Sequence, residues 1–117
     1  MVVPRHFKIE RIILLGYLYL GMAILLEITG TTCMKLSDGF SYIRYAAATL
    51  VAYGVCFYFF ALSLKSVHLS IAYATWGGLG IVLTTVVSYF YFHESISLIG
   101  FIGIALIITG VVLCNYF

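Results

Sequence analysis

The chain has 117 residues, of which 64% are hydrophobic and 9% charged, with a formal net charge of +2 and a mean hydropathy of +1.16. An ordinary soluble domain is about a quarter charged, so these values exclude one here. They equally exclude a nucleic-acid-binding surface, which needs clustered basic residues on a folded face.

Cutting the sequence at its charged residues leaves four apolar runs: Ile12 to Met34, Tyr45 to Leu64, Leu69 to Phe92 and Ile96 to Tyr116. Each is near or above the roughly 20 residues an α-helix needs to cross a ~30 Å hydrocarbon core. The expected fold is an all-α membrane protein made of one domain over residues 1–117 with four transmembrane helices.

The segment before the first span carries Arg5, Lys8 and Arg11. It superficially matches a secretion signal, but the apolar run behind it is too long and lacks a small-x-small cleavage site before Glu27. A basic tail lying against anionic lipid is the expected role. Together with Lys65 this tail outweighs Lys35 and Arg44 on the other side by a small excess, which favours both termini in the cytoplasm and leaves both insertion directions open.

Glu27 is the single charge inside the first span. An ionisable group at the centre of a spanning helix is costly, about 2.5–3.5 kcal/mol on permissive scales, and such a group commonly marks a transport pathway. Helical spacing places Ala23, Ile24, Gly30, Thr31 and Met34 on its face, small residues that let another backbone approach. Burial penalises the ionised carboxylate, so Glu27 can hold a proton at physiological pH. A cation entering the same pocket would stabilise the carboxylate and expel that proton, which is the physics of exchange transport. The alternative is an interhelical hydrogen bond with no transport role.

The first connection holds an Asp38-Gly39 turn signal, where Lys35 and Asp38 are expected to pair. Tyr53 and Phe57, four residues apart in the second span, offer an aromatic wall. In the third span Tyr73, Trp76, Gly77 and Gly80 share one stripe, and aromatic faces attract cations. The Tyr73 hydroxyl is positioned to bond Glu27. Gly77, Gly78 and Gly80 have no βαβ context and do not form a dinucleotide loop. They instead permit close helix approach or a bend. In the fourth span Gly103 and Gly110 lie a heptad apart, a spacing that supports helix pairing in lipid.

Cys33, Cys56 and Cys114 form no C-x-x-C pair and are expected to pack as small apolar residues. His6, His68 and His93 have no zinc-like spacing. Neither a metal nor another cofactor is expected. No nucleophile and base share one plausible site, which argues against an enzyme, and no ring of charges suggests a channel.

The run Leu26, Glu27, Ile28, Thr29, Gly30, Thr31, Thr32, Cys33, Met34 and Lys35, followed by Gly39-Phe40, resembles the first-helix signature of the small multidrug resistance transporters. Ala72 to Gly80, with Tyr73, Trp76, Gly78 and Gly80, resembles the third helix of the same family. The likeness runs from about Leu14 to Asn115 and includes the Gly103/Gly110 pair.

The resemblance implies a bacterial inner-membrane protein that works as an antiparallel homodimer, or as a heterodimer with a related chain. It implies export of cationic small molecules in exchange for protons, with Glu27 binding proton and substrate alternately. Thr31, Tyr53, Tyr73 and Trp76 match the substrate pocket, Gly77, Gly78 and Gly80 a conformational hinge, and Gly103 and Gly110 the dimer contact. Four spans are too few to contain both halves of an inverted repeat, and two oppositely inserted copies supply the second half. Gly30-Thr31 after the glutamate resembles the quaternary-ammonium branch. Gly77 stands where drug exporters often carry serine, and polyamine exporters can show a similar Trp-Gly-Gly. Polyamine or guanidinium export, or a non-transporting partner subunit, are the alternatives. His68 and Tyr45 replace prolines common in the family.

Overall fold

The computed structural model describes the backbone of residues 5–117 and the side chains from Ile9 onward. The expected contact of Arg5 and Lys8 with lipid falls on side chains outside the described residues.

Four helices follow in chain order: α1 (Arg5–Leu36), α2 (Ile43–Ser63), α3 (Leu69–Phe90) and α4 (Leu98–Tyr116). Each contains a stretch long and apolar enough to span a membrane, that of α1 running from Ile9 to Leu36. The expected all-α, four-span architecture is the observed one.

Helix ends depart from the apolar runs for local reasons. α1 begins before Ile12, since the charged residues Glu10 and Arg11 are good helix formers and end a span without ending a helix. α4 starts two residues after Ile96 because the Ser97 side chain accepts a hydrogen bond from the Gly100 amide, 3.0 Å away, and so caps the first turn. α3 stops at Phe90, and His93 just beyond takes a left-handed φ of 56°. The α1–α2 reversal uses three successive left-handed residues, Asp38, Gly39 and Phe40, at φ of 50°, 67° and 64°. Buried Ser37 ties that turn together by donating to the Met34 carbonyl and accepting from the Phe40 amide.

α1 packs most extensively on α2 and also on α3, while α4 leans mainly on α3. The buried cluster is small: Leu20, Ile24, Val67 and Ala72, with Ile28, Phe60, Ile71, Trp76 and Leu79 packed around it. Lipid tails are as apolar as leucine, so interhelical packing and hydrogen bonds, rather than water exclusion, hold such a bundle. Two interhelical bonds illustrate this. The Cys56 thiol of α2, fully buried, donates to the Ala23 carbonyl of α1 at 3.1 Å. Asn115 of α4 donates to Thr75 Oγ1 of α3 and accepts from the Tyr17 hydroxyl of α1, each at 2.8 Å.

Val111 is the one buried residue of α4 among those described. Its neighbour is Gly78: a Cβ built on Gly78 would overlap the Val111 Cγ2 methyl. The small residue is what lets α4 dock on α3.

Candidate functional site

Glu27 lies mid-helix in α1, one turn after Ala23, where α2 crosses at Cys56. Its carboxylate points at α3, directly over Gly80: a Cβ there would stand 2.6 Å from both Glu27 Cδ and Oε1. Glu27 Oε2 is buried and has no hydrogen-bond partner among the described residues, and the same holds for the Trp76 indole nitrogen. Two polar atoms left unpaired on facing helices are unusual, because a buried polar group without a partner is costly. Glu27 Oε2, at the α1–α3 contact, is therefore an acceptor left to a ligand.

Trp76 is the hub of the aromatic wall. Its ring centroid is 5.5 Å from that of Phe60, 5.8 Å from Tyr73 and 6.0 Å from Phe57. Phe57 in turn lies 6.1 Å from Tyr53, so the wall extends from α3 onto α2. These separations fit tilted aromatic packing, and the ring faces provide a surface that attracts cations.

Thr31, one turn beyond Glu27, shares a hydrogen bond of 2.6 Å with the Tyr53 hydroxyl. Tyr53 reaches it across Gly30, where a Cβ would press into the ring at 2.7 Å. The structure thus brings Glu27, Thr31, Tyr53 and Trp76 to one side of the helix bundle. Tyr73 departs from the expected bond to Glu27: it is 62% exposed and turns its ring against Trp76 instead.

α3 runs unbroken through Gly77, Gly78 and Gly80. Close approach is what two of them provide, Gly78 to Val111 and Gly80 to Glu27, while a Cβ at Gly77 would meet nothing within 4 Å among the described residues. Gly103 and Gly110 likewise face open space within this chain.

Lys35 does not pair with Asp38. Its ammonium reaches Glu94, beyond the end of α3, at 2.8 Å and lies 5.9 Å from the Phe92 ring centroid. Helix direction explains the exchange: α1 and α3 run parallel, so the end of one meets the end of the other, whereas Asp38 sits in a turn leading away to α2. Glu94 also accepts from the Ser88 hydroxyl at 2.6 Å. Hydrogen bonds from Lys35 and Ser88, together with the lysine charge, hold the Glu94 carboxyl below the usual carboxylate range.

Glu94, Ser88 and Asn115 were not singled out by sequence reasoning. A signal for Ser88 exists in the spacing, since Gly80, Thr84 and Ser88 recur every four residues on α3, as do Glu27, Thr31 and Lys35 on α1, whereas Glu94, beyond the end of α3, has none. Asn115 lies in an apolar run with no periodic cue.

The model of the family described as Small Multidrug Resistance protein matches residues 15–107. The quaternary ammonium compound-resistance protein QacG of Staphylococcus sp. (strain ST94) is 50% identical over 101 residues, covering 86% of this chain and 94% of that protein. Multidrug resistance protein EbrA of Bacillus subtilis is 43% identical over 103 residues, covering 88% of this chain and 98% of that protein. EbrB of the same organism is 46% identical over 100 residues, covering 86% of each. With four membrane-spanning helices and these relatives, the chain belongs to the small multidrug resistance family of transporters, is a multi-pass bacterial membrane protein and is not an enzyme.

Proposed function

We propose that the chain is a proton-coupled antiporter that exports quaternary ammonium or other hydrophobic cations, with proton and substrate competing for Glu27. The observation that carries this reading is the Glu27 carboxylate, which faces Gly80 with a buried oxygen that no described residue serves. A proton or a cation can each satisfy that oxygen, and both cannot do so together. The Trp76-centred aromatic wall supports a cationic, apolar substrate, and the quaternary ammonium resistance named for QacG agrees with that class.

Thr31 and Tyr53 hold one another in place beside the carboxylate, and Tyr73, exposed at the rim, extends the aromatic surface. The single chain forms one half of a site; an antiparallel partner, a second copy or a related chain, supplies the other. The unfilled faces at Gly103 and Gly110 support this pairing, because small residues on a lipid-exposed helix allow close packing of another helix. Gly77, where an added Cβ would meet no described atom within 4 Å, is where α3 can flex as access alternates, with Gly78 and Gly80 keeping the helix seated on its neighbours. Residues 1–117 act as a single four-helix domain.

The test is ligand-linked proton release. Purified protein in weakly buffered detergent should release protons when a quaternary ammonium ligand binds, and Glu27→Gln should abolish the release. Undiminished release from that variant would overturn the mechanism.

A further inference from the structure

Two polar stripes face each other along the bundle. On α1, Glu27, Thr31 and Lys35 follow at intervals of four residues; on α3, Gly80, Thr84 and Ser88 do the same. The first pair of this ladder is Glu27 over Gly80. The remaining four residues, with Phe92 and Glu94, line a cavity of about 130 Å³ at the end of the bundle. A rise of 1.5 Å per residue puts Lys35 about 12 Å along the axis from Glu27. Thr31, one turn from Glu27, belongs both to the cavity and to the hydrogen bond with Tyr53.

The outer end of this ladder is already a cation receptor. A carboxylate oxygen of Glu94 and the ring of Phe92 both lie against one ammonium group, that of Lys35. Carboxylate plus aromatic face is the combination that recognises alkylammonium ions. Lys35 is tethered by a flexible stem and its side chain is 58% exposed, so the contact is one a competing cation in solvent can replace.

We propose that Glu94, Phe92 and Ser88 form an outer station for the transported cation, an alkylammonium head group, and that Lys35 occupies this station until the substrate displaces it. Ser88 Oγ donates to Glu94 Oε2 and fixes the carboxylate, leaving Oε1, the atom that Lys35 now holds, for the incoming charge. Lys35 then keeps the mouth selective: a solute without positive charge cannot take its place on Glu94. The station deepens the proposed function by giving the cation a second binding place, one that lies outside the carboxylate where it meets the proton.

The experiment removes the inner site and watches the outer one. Tetramethylammonium binding is measured by equilibrium dialysis on full-length protein carrying E27Q, E27Q/K35M or E27Q/K35M/E94Q. Removing the tethered competitor should strengthen the residual binding up to about fivefold, the range expected for an exposed ion pair. Adding E94Q should abolish it, while E94D in the same background should restore it, which separates loss of the charge from loss of the fold. Equal binding by E27Q/K35M and its E94Q derivative would overturn the station, as would binding that K35M weakens. The comparison lies wholly within the E27Q background, so it stands or falls separately from proton release at Glu27.

Discussion

Gly80 lies so close beneath Glu27 that a methyl group in its place would occupy the space of the carboxylate. Gly80 is buried, but the atoms its methyl would meet are the far end of the flexible Glu27 side chain and alanine favours a helix over glycine by roughly 0.5–1 kcal/mol, so Gly80→Ala should leave helix content intact. Substrate affinity should fall at least about tenfold, because the carboxylate must move off the α1–α3 contact. Circular dichroism with ligand titration checks both halves. An alanine variant that binds as the parent does would show that the carboxylate position is not critical.

The Thr31–Tyr53 hydrogen bond joins the first two helices beside the site. Removing one partner of such a bond costs about 1 kcal/mol, so Thr31→Val and Tyr53→Phe should each weaken binding by about fivefold. If they act through the same bond, the double variant should lose little more than either single one. Full additivity in that cycle would assign the two hydroxyls separate roles.

A Cβ added at Gly103 or Gly110 would meet no atom within 4 Å among the described residues. Gly103→Leu and Gly110→Leu should therefore leave each chain folded and inserted while lowering the dimer fraction severalfold in cross-linking or sedimentation. A dimer fraction equal to the parent's, with transport intact, would remove α4 from the interface.

The Lys35–Glu94 pair has a defined pH dependence. The partnered Glu94 carboxyl is held below its ordinary value of 4.5, so its stabilising contribution is complete above that value and is lost as the pH falls through the lower, partnered one. The carboxyl resonance of Glu94 should titrate below pH 4.5 in the parent and rise toward that value in Lys35→Met. A midpoint that does not move in that variant would mean that Ser88 alone holds the carboxylate.

The spans were legible because lipid imposes a length and a polarity that can be read by counting, and because Glu27 is anomalous in an apolar run. Helix ends were less so: Ser97 sets the start of α4 by a single capping bond that hydropathy does not register. Trp76 as an aromatic hub followed from its stripe on α3, with Phe57 and Tyr53 four residues apart on α2. The partner of Lys35 did not follow. Asp38 is near in sequence and Glu94 is 59 positions away, and only the parallel direction of α1 and α3 decides between them. Tyr73 shares a stripe with Trp76, yet spacing alone does not say which member of a stripe points inward.

Trp76 is the chain's one tryptophan, and it stands at the centre of the proposed site with Tyr73 5.8 Å away. Intrinsic fluorescence of the unlabelled protein is therefore a local signal, unmixed with emission from any other indole. Tyr73 is one of ten tyrosines, so tyrosine emission is spread over the whole bundle, and the local signal is the indole's own, read with excitation selective for tryptophan. An occupant entering beside the rings changes that emission directly, and the molecule carries its own optical probe.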